Sequence, residues 1–413
     1  MHSSLQRWQT MKLTVTIISE CSSGNLGDQA ISRSLAAILL PRFEVRLVPF
    51  CQLDRSSTNS AVPRETESRS ALRRASRIVP PKLKARIRWY LLGERKRFEQ
   101  YYRRSIEDSA LVVIGGGQLI RNNIALFCDR LALLGKLGSD LKVPYALVGV
   151  GVDRNMGKVT WRLAGVLVRR CSFAILRDEM SRQRMRQNIK CAPECSVLPD
   201  LAFALKNPAA ANTNRRISLG INIMNFDVML GEVNPSLKGD AMAIIARYCA
   251  IVKCADRAGS SITLFTSGSP DDFREAQRVK SVVLAQTGIE VPVFHPESLD
   301  ALLEFLVDVR DVLATRMHAG ILAYISGCNP VCLNWNDKVH GVWSAIGQEV
   351  RVFEIEDFVA DEVGVTFLEK LQHICPPSPK ALVELSGNIR MGVTDEIAVP
   401  VRASLMKIGI EDQ

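Results

Sequence analysis

The chain has 413 residues, 47% of them hydrophobic and 6% aromatic, with 26 Gly, 18 Pro and a formal charge of +10. That length holds about two domains with a substantial core, and the composition excludes collagen-like, low-complexity and disordered classes. No run reaches the roughly 18 apolar residues of a membrane-spanning helix. The eleven cysteines are scattered, with no C-x-x-C, and the closest pairs, Cys191/Cys195 and Cys328/Cys332, have no neighbouring His set. Neither a zinc site nor a disulfide framework fits that spacing, so no metal is expected and the thiols point to a reducing compartment.

In chain order, Lys12–Ser19 alternates and runs into a Gly-bearing turn, which favours a first core strand over a signal segment. Cys21-Ser-Ser-Gly-Asn-Leu-Gly-Asp-Gln-Ala-Ile31 then opens a helix over Asp28–Leu40. Gly24 and Gly27 allow close backbone approach, and Asp28 suits either a helix cap or a base taking a proton from a hydroxyl. A strand at Phe43–Pro49 follows. Between Cys51 and Arg104 stand 15 Lys/Arg against 5 Asp/Glu, so the chain's whole charge surplus lies there. Residues 78–104 mix Trp89, Tyr90, Leu91 and Leu92 with dense basic residues. A helix lying on an anionic membrane and an ordinary amphipathic helix behind a polar loop both fit; no nucleic-acid motif accompanies the charge.

Strand Ala110–Ile114 is expected to end in the turn Gly115-Gly116-Gly117, which could cradle an anion but matches no nucleotide-binding fingerprint. Helix Leu119–Leu137, strand Val143–Val150, helix Thr160–Cys171, strand Phe173–Leu176 and helix Met180–Gln187 follow, with Arg177-Asp178 at a strand end. A polar linker over Asn207–Arg216 precedes a second cycle: Ile217–Ile223, Asp240–Ala258, Ser261–Thr266, Asp271–Gln286 and Glu290–Phe294. Leu306–Leu313 reads as a strand, and Ile321, Leu322, Tyr324 and Ile325 as a helix stopping at Gly327. Arg316 and His318 therefore fall where a strand hands over to a helix, beside unpaired N–H groups and the positive end of its dipole. An anionic, phosphorylated ligand suits that placement; a buried Arg–carboxylate pair with a core His fits it equally. Lys338 follows a further strand, Val331–Leu333. Two runs of βα units give an α/β protein of two Rossmann-like domains with parallel sheets: 12–206 carrying the basic insertion 51–104, then 216–375, then a tail 376–413. Ligands of such folds sit at the carboxyl ends of strands, and in two-domain versions in the cleft between them.

Gly24-Asn-Leu-Gly-Asp-Gln-Ala-Ile31, Ile114-Gly-Gly-Gly117, Gly149-Val-Gly151, Leu176-Arg-Asp178, Pro199-Asp-Leu-Ala-Phe203 and Thr315-Arg-Met-His-Ala-Gly320, followed by Gly327-Cys-Asn-Pro330 and Asp337-Lys338, stand in an order and spacing that resembles the polysaccharide pyruvyl transferase family. The resemblance covers most of residues 12–345. It implies a glycosyltransferase-B-like enzyme that moves the enolpyruvyl unit of phosphoenolpyruvate onto two sugar hydroxyls, giving a pyruvate ketal and phosphate. By that resemblance Arg316, Arg177, Gly115, Gly116, Gly117 and Lys338 hold the donor, His318 is catalytic, and Asn25 and Asp28 serve the acceptor, Asp28 also as a base. The donor is a substrate, so no cofactor is implied. The acceptor is a sugar, free or lipid-linked, and the setting is cytoplasmic, with the inner membrane face as an added location. The chain departs from the family's pattern at Gly151-Val-Asp153 and at Asp200-Leu201, where a proline often follows the Gly and the Asp. A sugar-nucleotide glycosyltransferase of the same fold and a non-enzymatic membrane-associated assembly protein are the alternatives.

Overall fold

A computed structural model describes residues 13–51, 81–121, 126–154, 156–190, 192–207, 215–232 and 241–407. The Ser56–Ser76 loop, Cys191 and most of the 207–216 linker lie outside them. The elements run β1 (Thr14–Ser19), α1 (Leu26–Leu39), β2 (Glu44–Pro49), α2 (Pro81–Tyr90), α3 (Glu94–Ile106), β3 (Leu111–Ile120), α4 (Phe127–Asp140), β4 (Tyr145–Val152), α5 (Lys158–Val168), β5 (Ala174–Leu176), α6 (Glu179–Asn188) and β6 (Cys195–Val197). After a short 3₁₀ turn at Leu201–Ala204 come β7 (Ile217–Asn222), α7 (Phe226–Glu232), α8 (Ala241–Arg257), β8 (Ile262–Phe265), α9 (Pro270–Thr287), β9 (Val293–Phe294), α10 (Leu299–Val307), β10 (Val309–Ala314) and α11 (Met317–Ile325). The chain continues with β11 (Asn329–Asn334), α12 (Asp337–Ser344), β12 (Val352–Glu354), α13 (Ile355–Ala360), α14 (Val365–Gln372) and α15 (Pro379–Lys407).

The strands form two six-stranded sheets, in the orders β2-β1-β3-β4-β5-β6 and β12-β11-β10-β7-β8-β9. All pairings between neighbouring strands are parallel. Helices on both faces explain why β3 and β4 read as nearly unbroken apolar runs. The chain divides into two compact units: Met1–Ser22 with Ala36–Val197 and Val393–Gln413, and Ser23–Leu35 with Leu198–Gly392. Each has its own core, one around Ile18, Val112, Leu147 and Phe127, the other around Ile221, Leu313, Val331 and Tyr248. In both, the chain runs outward from a central strand and returns on its other side, between β1 and β3 and between β7 and β10. The carboxyl ends of those strand pairs are the switch points where such sheets hold ligands.

Several elements differ from the sequence expectations. Gly115, Gly116 and Gly117 do not make a turn after a strand. They lie inside β3, where Gly116 and Gly117 have φ of 83° and 79° and the register against β4 shifts between Gly117 and Ile120. Left-handed glycines in a bulge let the strand continue, which a period-based reading takes for a stop. The expected helix from Leu119 instead opens at Phe127. Leu306 and Val307 belong to α10, not to the following strand, because Leu299, Leu302, Leu303 and Leu306 share its buried stripe. Helix α1 starts at Leu26 rather than Asp28, since Asn25 Oδ1 accepts from Gly27 N at 3.1 Å. Trp89, which fitted either a membrane-facing stripe or the inner face of an ordinary amphipathic helix, is 3% exposed and packs on Phe98 at 5.8 Å between ring centroids, as the second of these requires. Residues 379–407, expected as part of a tail, form a helix that buries Ile389, Val393, Ile397 and Val401 at four-residue spacing.

Candidate functional site

The second unit's switch point is built around the ends of β7 and β10. Asn222 closes β7, and its Oδ1 accepts from Arg316 N at 2.9 Å, which fixes the turn entering α11. Thr315 Oγ1 donates to Asn222 O at 2.7 Å and lies 2.9 Å from the Tyr248 hydroxyl, while Trp335 Nε1 donates to Thr315 O at 2.6 Å. Tyr248 is fully buried, and burial pushes its phenol up to about 12. The turn presenting Arg316 and His318 is therefore tied to β7, α8 and the loop after β11.

Arg316 stands at the N-cap of α11 and makes a two-pronged ion pair with Asp272, Nε to Oδ2 at 2.9 Å and Nη2 to Oδ1 at 2.8 Å. Asp272 lies in the first turn of α9 and also accepts from Asn225 N at 2.9 Å. Its side chain is 1% exposed and that of Arg316 26%. The guanidinium is thus held by one edge and reaches solvent at the other, a preset orientation for an anion.

His318 follows two residues later, in the first turn of α11. Its Nε2 is buried, makes no hydrogen bond among the described residues, and lies 3.6 Å from Asp200 Oδ2, beyond hydrogen-bond reach. The other oxygen of Asp200 accepts from Ala202 N at 3.0 Å and starts the 3₁₀ turn. Gly27 covers the ring: a Cβ placed there would meet His318 Cγ and Nδ1 at 2.3 Å. Gly320, also in α11, permits close packing on β11, since a Cβ there would lie 2.1 Å from Cys332 Sγ.

The segment Ser23–Leu35 belongs to this second unit, and Leu26 N donates to Ser267 O at 3.2 Å. Asp28 Oδ2 accepts from Asn25 Nδ2 at 3.1 Å and Ser23 Oγ at 3.3 Å. The cap is Asn25; Asp28 is the half-buried carboxylate it helps to hold. Lys338 is in the same unit, with Nζ 4.8 Å from the centre of the Trp335 ring. One unit thus gathers Asn25, Asp28, Arg316, His318 and Lys338.

Arg177 and the three glycines are in the other unit. Arg177 is 2% exposed, its Nε is 3.3 Å from Asp178 Oδ2, and a Cβ at Gly151 would meet its guanidinium at 2.6 Å. Gly115, Gly116 and Gly117 are buried in β3. At the first unit's own switch point, Glu20 and Arg121 pair at 3.2 Å, and Arg121 lies over the Phe127 ring at 4.3 Å. Sequence reading assigned no role to Asp272, Asn222, Tyr248, Glu20 or Arg121. Only the position of Asn222 and Glu20 at strand ends signalled them. Asp200 stood in a quoted motif without a task.

Among the described residues no group of three or more His, Cys, Asp or Glu could hold a metal ion, and the ten described cysteines are free thiols. The family model for polysaccharide pyruvyl transferase matches residues 25–337, more than half of the chain. The chain belongs to the polysaccharide pyruvyl transferase family. The matched span includes Asn25, Asp28, Asp200, Asp272, Arg316 and His318. No curated protein matches the sequence. Among solved structures, the Anabaena protein HepE in complex with UDP and glucose shares 11% identity at a TM-score of 0.54, covering 94% of this chain and 100% of its own. The S. aureus MnaA–UDP structure shares 12% at 0.54, covering 98% of each chain. The Neisseria meningitidis UDP-GlcNAc 2-epimerase bound to UDP-GlcNAc shares 12% at 0.51, covering 93% of this chain and 100% of its own. At such identities these likenesses establish the fold: two glycosyltransferase-B-like, Rossmann-type domains. A pyruvyl transferase acting on polysaccharide is what the family implies.

Proposed function

We propose that this protein transfers the enolpyruvyl unit of phosphoenolpyruvate onto two hydroxyls of one sugar, in a polysaccharide or its lipid-linked precursor, and releases inorganic phosphate. The observation that carries the reading is the opening turn of α11, which holds Arg316 and His318 at the switch point of a parallel sheet in a chain of this family. Phosphoenolpyruvate is small and carries a carboxylate and a phosphate, so it needs oriented cations; the outer edge of Arg316 supplies one, with Lys338 as the second from this unit.

In this reading His318 delivers a proton to the methylene carbon as a sugar hydroxyl adds at C2. The hydroxyl proton passes to a carboxylate, for which Asp28 is the candidate, with Asn25 holding it. The C2–O bond to phosphate then breaks with its electron pair leaving on inorganic phosphate. The second hydroxyl bonds to C2, gives its proton to the now neutral His318, and closes the ketal. Asp200 Oδ2 stands 3.6 Å from His318 Nε2, on the side of the ring away from the substrate in this reading. The steps balance without a cofactor. Ten free thiols fit a cytoplasmic setting, where the donor would be met.

Phosphate release on mixing enzyme, phosphoenolpyruvate and a panel of soluble sugars tests this. Stoichiometric phosphate and pyruvylated sugar support it. A sugar moved from a uridine-diphosphate donor, with phosphoenolpyruvate inert, would replace it with the glycosyltransferase reading.

A further inference from the structure

The first unit carries a surface that the transfer chemistry does not use. Helix α2 buries Ala85 and Trp89 on one side. On the opposite side Leu83, Ile87 and Tyr90 follow one another at helical spacing and are 49%, 37% and 58% exposed, and Leu91 and Leu92 just beyond are 77% and 62% exposed. Lys84 and Arg86 border that stripe on its two sides. The helix is therefore docked to the protein by Trp89 and Phe98, while a second apolar face looks outward between basic flanks.

Beside the end of α2 a cavity of about 520 Å³ opens among α2, α4 and α5. It is lined by Tyr90, Arg95, Lys136, Arg169 and Arg170 together with the carboxylates of Asp129 and Asp140. Asp129 already accepts from the Tyr90 hydroxyl at 2.8 Å. The Arg169 guanidinium lies over Gly165, where a Cβ would meet Nη1 and Nη2 at 2.9 Å. Four cations against two carboxylates leave the cavity positive, and it is large enough for a phosphorylated headgroup.

We infer that this face docks on an anionic phospholipid bilayer, with Leu83, Ile87, Leu91 and Leu92 entering the interface and the cavity taking a lipid phosphate. Charge complementarity selects the occupant. The entire +10 surplus of the chain falls in 51–104 by sequence, and among the described residues Lys84, Arg86 and Arg88 flank apolar side chains that a nucleic-acid backbone would leave exposed. No described helix is long and apolar enough to cross a membrane, so the contact is peripheral. It extends the reading of a lipid-linked acceptor but stands on its own observations.

The test is flotation of the purified full chain with phosphatidylcholine vesicles, with and without phosphatidylglycerol, at low and high salt. The assay contains neither donor nor acceptor, so its failure leaves the transfer reading untouched, and the reverse also holds. We expect the protein to float with the anionic vesicles only, less so at high salt. The exposed double substitution Leu91→Ser, Leu92→Ser should melt with the wild type yet lose at least tenfold in binding. Lys136→Glu with Arg170→Glu should lose the preference for anionic lipid, about fivefold or more per cation removed. No flotation with anionic vesicles would overturn the inference. So would undiminished binding by the Leu91→Ser, Leu92→Ser protein, which would reduce the effect to charge adhesion. An unchanged lipid preference after the cavity substitutions would remove the headgroup site. Tight binding of single-stranded RNA without flotation would assign the basic face to nucleic acid.

Discussion

His318 rests so closely on the backbone of Gly27 that no side chain fits between them. Gly27→Ala should therefore shift the ring away from Asp200 and cut phosphate release at least tenfold. The melting temperature should change little, because alanine recovers about 0.5–1 kcal/mol of helix propensity against the strain. Full activity in that variant would remove His318 from the chemistry. Arg316 poses a different question, since its pairing with buried Asp272 has the geometry of a structural ion pair. Arg316→Ala alone leaves a buried carboxylate with a reduced set of partners and should cost on the order of 3 kcal/mol of stability. Combining it with Asp272→Asn removes both charges. That double variant should regain much of the lost stability and still have no turnover; retained turnover would make the pair purely structural.

Helix α11 lies against β11 because Gly320 meets Cys332 without a side chain between them. Gly320→Ala should overpack this contact by about 1–3 kcal/mol, and Cys332→Ala should relieve part of that cost in a double-mutant cycle read by chemical denaturation. Burial pushes the Cys332 and Cys328 thiols up to about 12, so alkylation of the native protein near neutral pH should reach exposed Cys375 and spare both. Helix α2 gives a third check: Trp89→Ala should destabilise by about 3–5 kcal/mol, whereas Leu91→Ser should be nearly neutral, because the first lines the core and the second does not. Sequence periodicity placed most βα units because the strands are short, β-branched and largely apolar and their helices are amphipathic. It failed where the backbone, not the side chain, carries the signal. The left-handed glycines of β3 looked like a stop, and a single capping Asn25 moved the start of α1 by two residues.

At the scale of the whole chain, the alternating pattern and the short motifs at strand ends made two parallel sheets legible, and the two six-stranded sheets agree. The turn with Arg316 and His318 was equally legible, since a strand, a small-residue turn and a helix are all encoded locally. Its partners were not. Asp272, Asn222, Tyr248 and Asp200 are distant in sequence and meet the turn only through the sheet order of the second unit. Nor could periodicity assign Ser23–Leu35 to that unit, because its grouping rests on contacts such as Leu26 with Ser267. The central claim is that this turn is a phosphoenolpyruvate site, and the most direct measurement is the ligand's effect on thermal stability. At a concentration of 100 times its dissociation constant, a single-site ligand stabilises by about 2.7 kcal/mol, which gives a clear rise in melting temperature. That rise is expected with phosphoenolpyruvate for the wild type, and its loss in the Arg316→Ala, Asp272→Asn protein. A rise with a uridine-diphosphate sugar alone, or an equal rise in the double variant, would contradict the claim.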